Sequence, residues 1–89
     1  MKYKIYFTYG GIQYGFELPT GHPVFNQDDA SHVLGDFASD AVSYYLNQNH
    51  LIEIDEHGQR KYFPRNIQFF KVEGDNVSLL WKAQDFTQD

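Results

Sequence analysis

An 89-residue chain without cysteine must fold around apolar side chains alone, which excludes both a disulfide framework and a cysteine zinc site. Its 8 Phe, 7 Tyr and 1 Trp suit that task, because each ring can bury about 150–250 Å². The net charge of −5 is localised: residues 1–24 and 59–89 each sum to +1, residues 25–58 sum to −7, and no Lys or Arg lies between Lys4 and Arg60. The chain is therefore expected to carry one acidic region, and direct nucleic-acid binding is not expected.

The opening "MKYKIYFTYGG" alternates apolar with polar residues instead of forming the continuous apolar run of a secretory signal. No apolar stretch reaches the roughly 18 residues a membrane span needs. A single cytoplasmic domain over residues 1–89 is expected, with no repeat, low-complexity segment or lipidation motif.

The first element is a hairpin over residues 2–18. A two-residue loop at Gly10-Gly11 needs positive φ, which glycine adopts cheaply. That loop sets Tyr9 opposite Ile12, Phe7 opposite Tyr14, Ile5 opposite Phe16 and Tyr3 opposite Leu18, all on one apolar face. The other face pairs Lys4 with Glu17, Thr8 with Gln13, and Tyr6 with Gly15, where the ring covers the glycine. A one-residue slip would destroy both patterns. The glycines do not form a cofactor loop: a dinucleotide fingerprint needs G-x-G-x-x-G leading into a helix, and a phosphate loop needs G-K-[ST]. No cofactor is predicted.

The connector "PTGHPVFNQ" holds two prolines and a glycine and reads as turns. From about 28 to 48 the period becomes helical, with Ala30, Val33, Leu34, Phe37, Ala38, Ala41 and Tyr45 on one face. Asn26 or Asp28 is the expected N-cap, and "NQNH" ends the helix. Gly35 is expected to weaken it by up to about 1 kcal/mol relative to Ala.

Strands resume over residues 51–84. "LIEID" and "RKYF" flank the turn "EHGQ", Pro64 marks a strand end, and "NIQFFKV" and "VSLLWKA" flank the turn "EGDN". Pairing Val72 with Val77 places Phe70 by Leu79 and Gln68 by Trp81 on one face, with Ile67, Phe69 and Leu80 on the other. The order is β-β-α-β-β-β. The fold class is α+β: an antiparallel sheet with one long amphipathic helix packed on one face.

Little else points to catalysis. His22, Asp28 and His32 would approach a metal site if the connector folded over the helix start, but no H-x-x-x-H or H-E-x-x-H spacing exists. The serines lack a G-x-S-x-G context. Neighbouring carboxylates such as Asp28-Asp29 read as solvated. Of the basic Arg60, Lys61 and Arg65 around Tyr62 and Phe63, Arg60 and Lys61 read as partners for Glu53, Asp55 and Glu56 across the "EHGQ" turn. No catalytic, cofactor or metal residue is assigned, and an enzyme is not expected.

Two surfaces remain. Tyr6 on the outer face of the first hairpin, with Ile67, Phe69 and Leu80 on the second face of the last, exceeds what one helix can cover, which points to a protein partner or a homodimer. A folded-back Phe86 is the alternative cover. Asp28, Asp29, Asp36 and Asp40 are predicted to form an acidic helical stripe, in which Asp36 and Asp40 lie one turn, about 6 Å, apart along the axis. That stripe is the basis for the alternative of a nucleic-acid mimic acting on a DNA-handling protein. Compact size and local acidity suit a phage or mobile-element protein. The expected function is a small non-enzymatic binding or accessory domain.

Overall fold

In the computed structural model, which describes residues 1–19 and 22–84, Lys2–Tyr9 (β1) and Ile12–Glu17 (β2) pair antiparallel across Gly10-Gly11. Both turn glycines have positive φ, 60° and 81°, as the two-residue loop demands. The register is the one alternation predicts, from Tyr9 against Ile12 to Lys4 against Glu17. It continues through Leu18, whose N–H donates to the Tyr3 carbonyl.

Ser31–Gln48 forms the helix α1, and Arg65–Glu73 (β3) and Asn76–Lys82 (β4) complete one antiparallel sheet of order β2-β1-β3-β4. The fold is α+β, and α1 lies over β1, β3 and β4 but not over β2. Among the described residues no helix is long and apolar enough to cross a membrane. The core beneath the helix joins Tyr3, Ile5, Phe7 and Tyr9 of β1 to Phe69 of β3 and to Leu34, Ala38, Val42 and Leu46 of α1.

Four expectations are corrected. The stretches "LIEID" and "RKYF" do not join the sheet, so the order is β-β-α-β-β. They meet in one isolated bridge, Ile54 to Arg60, closed by Asp55, whose Oδ1 accepts from the N–H groups of His57 and Gln59. A two-stranded ribbon without a third strand or an apolar layer gains too little to extend.

Second, the helix begins at Ser31 rather than near 28, with Ala30 at the N-cap position and no side-chain cap. Asn26 and Asp29 satisfy each other instead, the Asn26 N–H donating to Asp29 Oδ2 and the Asp29 N–H to the Asn26 carbonyl. The helix does end at "NQNH". His50 takes a left-handed φ of 55°, its N–H donates to the Asn47 carbonyl, and the Leu51 N–H donates to the Leu46 carbonyl.

Third, the buried stripe is Leu34, Gly35, Ala38, Val42 and Leu46, whereas Val33 is exposed and Phe37, Ala41 and Tyr45 are half-buried. Gly35 belongs to the stripe because a Cβ there would stand 2.7 Å from the Trp81 ring, so the bare glycine lets the helix approach β4 closely. Phe37 packs on Phe25 and Phe69, and Tyr45 on Phe16, at the border of the core.

Fourth, Trp81 pairs with Phe69 and not with Gln68, because the β3–β4 register shifts between Phe69 and Phe70. The extra residue is Leu80. A bulge points two consecutive side chains to one side, so Leu80 enters the core and Trp81 reaches the helix together. A second irregularity, between β1 and β3, contains Asn66 at φ 55°, a conformation asparagine tolerates better than most residues.

Two tyrosine hydroxyls of β1 hold the long connectors. Tyr3 is fully buried, and its hydroxyl accepts from the Phe25 N–H at 3.0 Å and lies 3.1 Å from the Phe25 carbonyl. The Tyr9 hydroxyl accepts from the Glu53 N–H at 3.1 Å.

Tyr3→Phe strands two buried backbone groups and is expected to destabilise the fold by about 1–3 kcal/mol in urea denaturation. Gly35→Ala is expected to lose a similar amount, about 1–3 kcal/mol, despite better helix propensity, because the new methyl overpacks Trp81. The loss should vanish in a Trp81→Leu background, which a double-mutant cycle measures.

Candidate functional site

The strand register sorts every side chain of the sheet to one of two faces. The inner face meets the helix. The outer face, built from β1 outward, carries Lys2, Lys4, Tyr6 and Thr8, with Gln13, Gly15 and Glu17 beside them on β2. On the other side stand Gln68, Phe70 and Val72 of β3, then Val77, Leu79 and Lys82 of β4. Among the described residues no helix or strand lies over this face; Phe86 lies outside them.

An apolar strip crosses it. The Tyr6 ring lies flat on Gly15, where a Cβ would meet it at 2.7 Å, and presents its edge to Phe70 with centroids 5.7 Å apart. Phe70 is paired with Leu79 and Val72 with Val77, and Tyr6, Leu79 and Val77 are 36%, 46% and 64% exposed. Lys2 and Lys4 flank one side of the strip and Lys82 the other, and among the described strand residues Glu17 is the one carboxylate on this face. An acidic protein thus turns a cationic, partly aromatic face to solvent, while its acids gather on the helix and the connectors.

Of the residues predicted to form a protein contact, Tyr6 stands on this face. Ile67, Phe69 and Leu80 do not: they are 7%, 0% and 9% exposed and lie under the helix. The alternation had separated the two faces of the last hairpin correctly at Phe70 and Leu79, but the face assigned to the partner is the one that meets the core. The inner face of β1 decides this, since Ile5 pairs with Phe69. The outer apolar residues are instead Phe70, Val72, Val77 and Leu79, and the cross-sheet pairing that identifies them is not visible in a single hairpin.

The acidic stripe is also dispersed. Asp36 and Asp40 are exposed on α1, but Asp28 and Asp29 precede the helix. They line a polar hollow of about 340 Å³ with Asn26, Gln27, Lys71, Glu73 and Ser78. Lys71, on the inner face at the sheet's end, donates to Asn26 Oδ1 at 3.0 Å and lies 3.9 Å from Glu73. The charges a mimic would array in one row are therefore split between two elements.

The remaining candidates sit apart. His22 packs its ring on the edge of Tyr3 at 4.7 Å, and His57 lies 3.6 Å from Glu56 on the exposed turn. Among the described residues no three His, Asp or Glu side chains converge as a metal site would require. Lys61 reaches Glu53 at 3.9 Å across the loop, both ends solvated, a pairing worth little. Comparison of the chain with known protein families, curated proteins and solved structures finds no match.

The two faces should respond oppositely to the same chemistry. Leu79→Ser on the outer face is expected to change stability by no more than about 0.5 kcal/mol, whereas Phe69→Ala beneath the helix should cost about 3–5 kcal/mol. Thermal unfolding by circular dichroism reads both.

Proposed function

We propose that this protein is a non-enzymatic binding domain that docks a protein partner on the outer face of its sheet. One observation carries the reading: Tyr6, Phe70, Val72, Val77 and Leu79 form a contiguous apolar strip over which no described element lies. Such a strip, bounded by polar groups, has the composition of a docking surface, with aromatics at its centre and charge at its rim.

The rim favours a different protein over a second copy. Two copies stacked face to face would oppose Lys2, Lys4 and Lys82 to one another with Glu17 as the counter-charge. Like charges opposed at an interface select against that pairing. A partner with an apolar centre and acidic margins meets the same surface without that conflict. A cysteine-free domain of this kind is suited to the reducing cytoplasm, where we place it.

The test is capture on the immobilised protein, with Leu79→Asp and Lys4→Glu as the comparison. A discrete protein retained by the wild type and lost by about tenfold or more with Leu79→Asp supports the proposal, given the cost of burying an unpaired carboxylate. Capture that survives Leu79→Asp, or that disappears on nuclease treatment, overturns it.

A further inference from the structure

Because α1 is offset over β1, β3 and β4, the inner face of β2 is only partly covered. Beside the helix runs a groove of about 660 Å³, lined by Phe16 of β2 and by Phe37, Ala41, Tyr44 and Tyr45 of α1. Its floor is a pair of stacked rings: Tyr45 lies on Phe16 with centroids 4.6 Å apart and planes 10° from parallel. The charged residues along it are Glu17 and Asp40. The helix carries no Lys or Arg; Asp40 stands beside the groove, and Glu17, whose side chain the register turns to the outer face, stands at its edge.

The groove lies alongside an open strand edge. Leu18 donates to the Tyr3 carbonyl, and the register fixes the phase from there: Ile12, Tyr14 and Phe16 bond back to β1. The N–H and C=O groups of Gln13, Gly15 and Glu17 consequently point away from the sheet. The sequence of β2, "IQYGFE", has neither the Pro nor the Lys that commonly blunt an edge, and its pairing with β1 runs without a bulge. The opposite edge, β4, is bulged and ends in Lys82.

We propose that β2 and this groove bind an extended peptide segment of another protein, which adds as a fifth strand and places alternate apolar side chains against Phe16, Ala41 and Tyr45. Strand addition supplies affinity through the main chain and specificity through the pocket that alternate side chains enter. The segment is basic: its apolar side chains enter the groove, and the alternate basic ones fall on the other side of the edge, beside Glu17. A second copy pairing antiparallel through its own β2 would set two helices that carry Asp36 and Asp40 but no Lys or Arg side by side on one face of the joint sheet, which disfavours self-pairing. The groove lies on the opposite side of the sheet from the outer strip, with Glu17 at the shared edge, and Leu79→Asp distinguishes the two sites.

The probe is a fluorescently labelled eight-residue peptide alternating Phe, Leu and Val with Arg, followed by anisotropy. The proposal expects saturable binding that weakens by about tenfold or more when the Arg residues are replaced by Glu, or when alternate peptide amides are N-methylated. Ala41→Trp, which fills the groove from an already half-exposed position, should weaken binding similarly, while Leu79→Asp should leave it unchanged. In ¹⁵N spectra of the wild type, the amides of Gln13, Gly15, Glu17 and Ala41 should shift on titration. Undiminished binding of the N-methylated peptide overturns the proposal, as do shifts confined to Tyr6 and Leu79. A wild-type dimer that Glu17→Pro converts to monomer overturns it as well, since the occupant would then be a second copy. The N-methylated peptide and the wild-type spectra keep the test valid should Ala41→Trp fail to fold.

Discussion

Four strands at about 4.8 Å spacing make a surface about 19 Å across, and a helix with its side chains is only about 10–12 Å wide. One helix therefore cannot cover one face of this sheet, and it leaves the other face untouched. Everything of functional interest follows from that mismatch. By settling over β1, β3 and β4, α1 seals the core on Phe69 and leaves the inner face of β2 only partly covered, through Tyr45. The glycine at position 35 permits the close approach to β4, because its missing side chain admits Trp81. Phe37, Ala41 and Tyr45, half-buried on the other side of the helix, form a wall of the groove.

The central strand organises the rest. β1 places Tyr3, Ile5, Phe7 and Tyr9 in the core, and the first and last of these also carry hydroxyls that reach past the sheet to the two long connectors. Aromatic residues thus do two jobs here. Their rings bury the area that a short chain needs, and the Tyr3 and Tyr9 oxygens satisfy backbone groups in segments that have no ladder of their own. On the outer side of the same strand, Tyr6 shields Gly15 and meets Phe70, so its exposed position has a structural role as well as a surface one.

Much of this was legible in the residues. The Gly10-Gly11 turn, with period-two alternation on both sides, leaves a single register compatible with burying one face, and the first hairpin adopts it. The helix was marked by its period, and its C-terminus by "NQNH". Legibility failed where one element's choice depended on another. "LIEID" has the composition of a strand, but composition does not say whether a neighbour exists to pair with, and among the described residues the pairing stops at one bridge, Ile54 to Arg60. Trp81 was assigned the wrong partner because a bulge leaves little trace in alternation when Leu79, Leu80 and Trp81 are all apolar. Asp28 was an acceptable cap by type, and the helix still began three residues later.

The site followed the same division. That apolar groups would remain exposed could be inferred by counting them against one helix. Which groups they were could not, because Ile67, Phe69 and Leu80 are as apolar as Phe70, Val72 and Leu79, and only the pairing of Ile5 with Phe69 decides which set faces the helix. The sequence alone determined the local features: the turn, the first hairpin's register, the helix and the excess of apolar surface, since each depends on neighbours within a few residues. The tertiary structure alone decided which face of the second hairpin is buried, where the helix sits across the sheet, and hence the outer strip and the groove. Those features are set by contacts between residues far apart in the chain, such as Gly35 with Trp81, whose consequences no local pattern encodes.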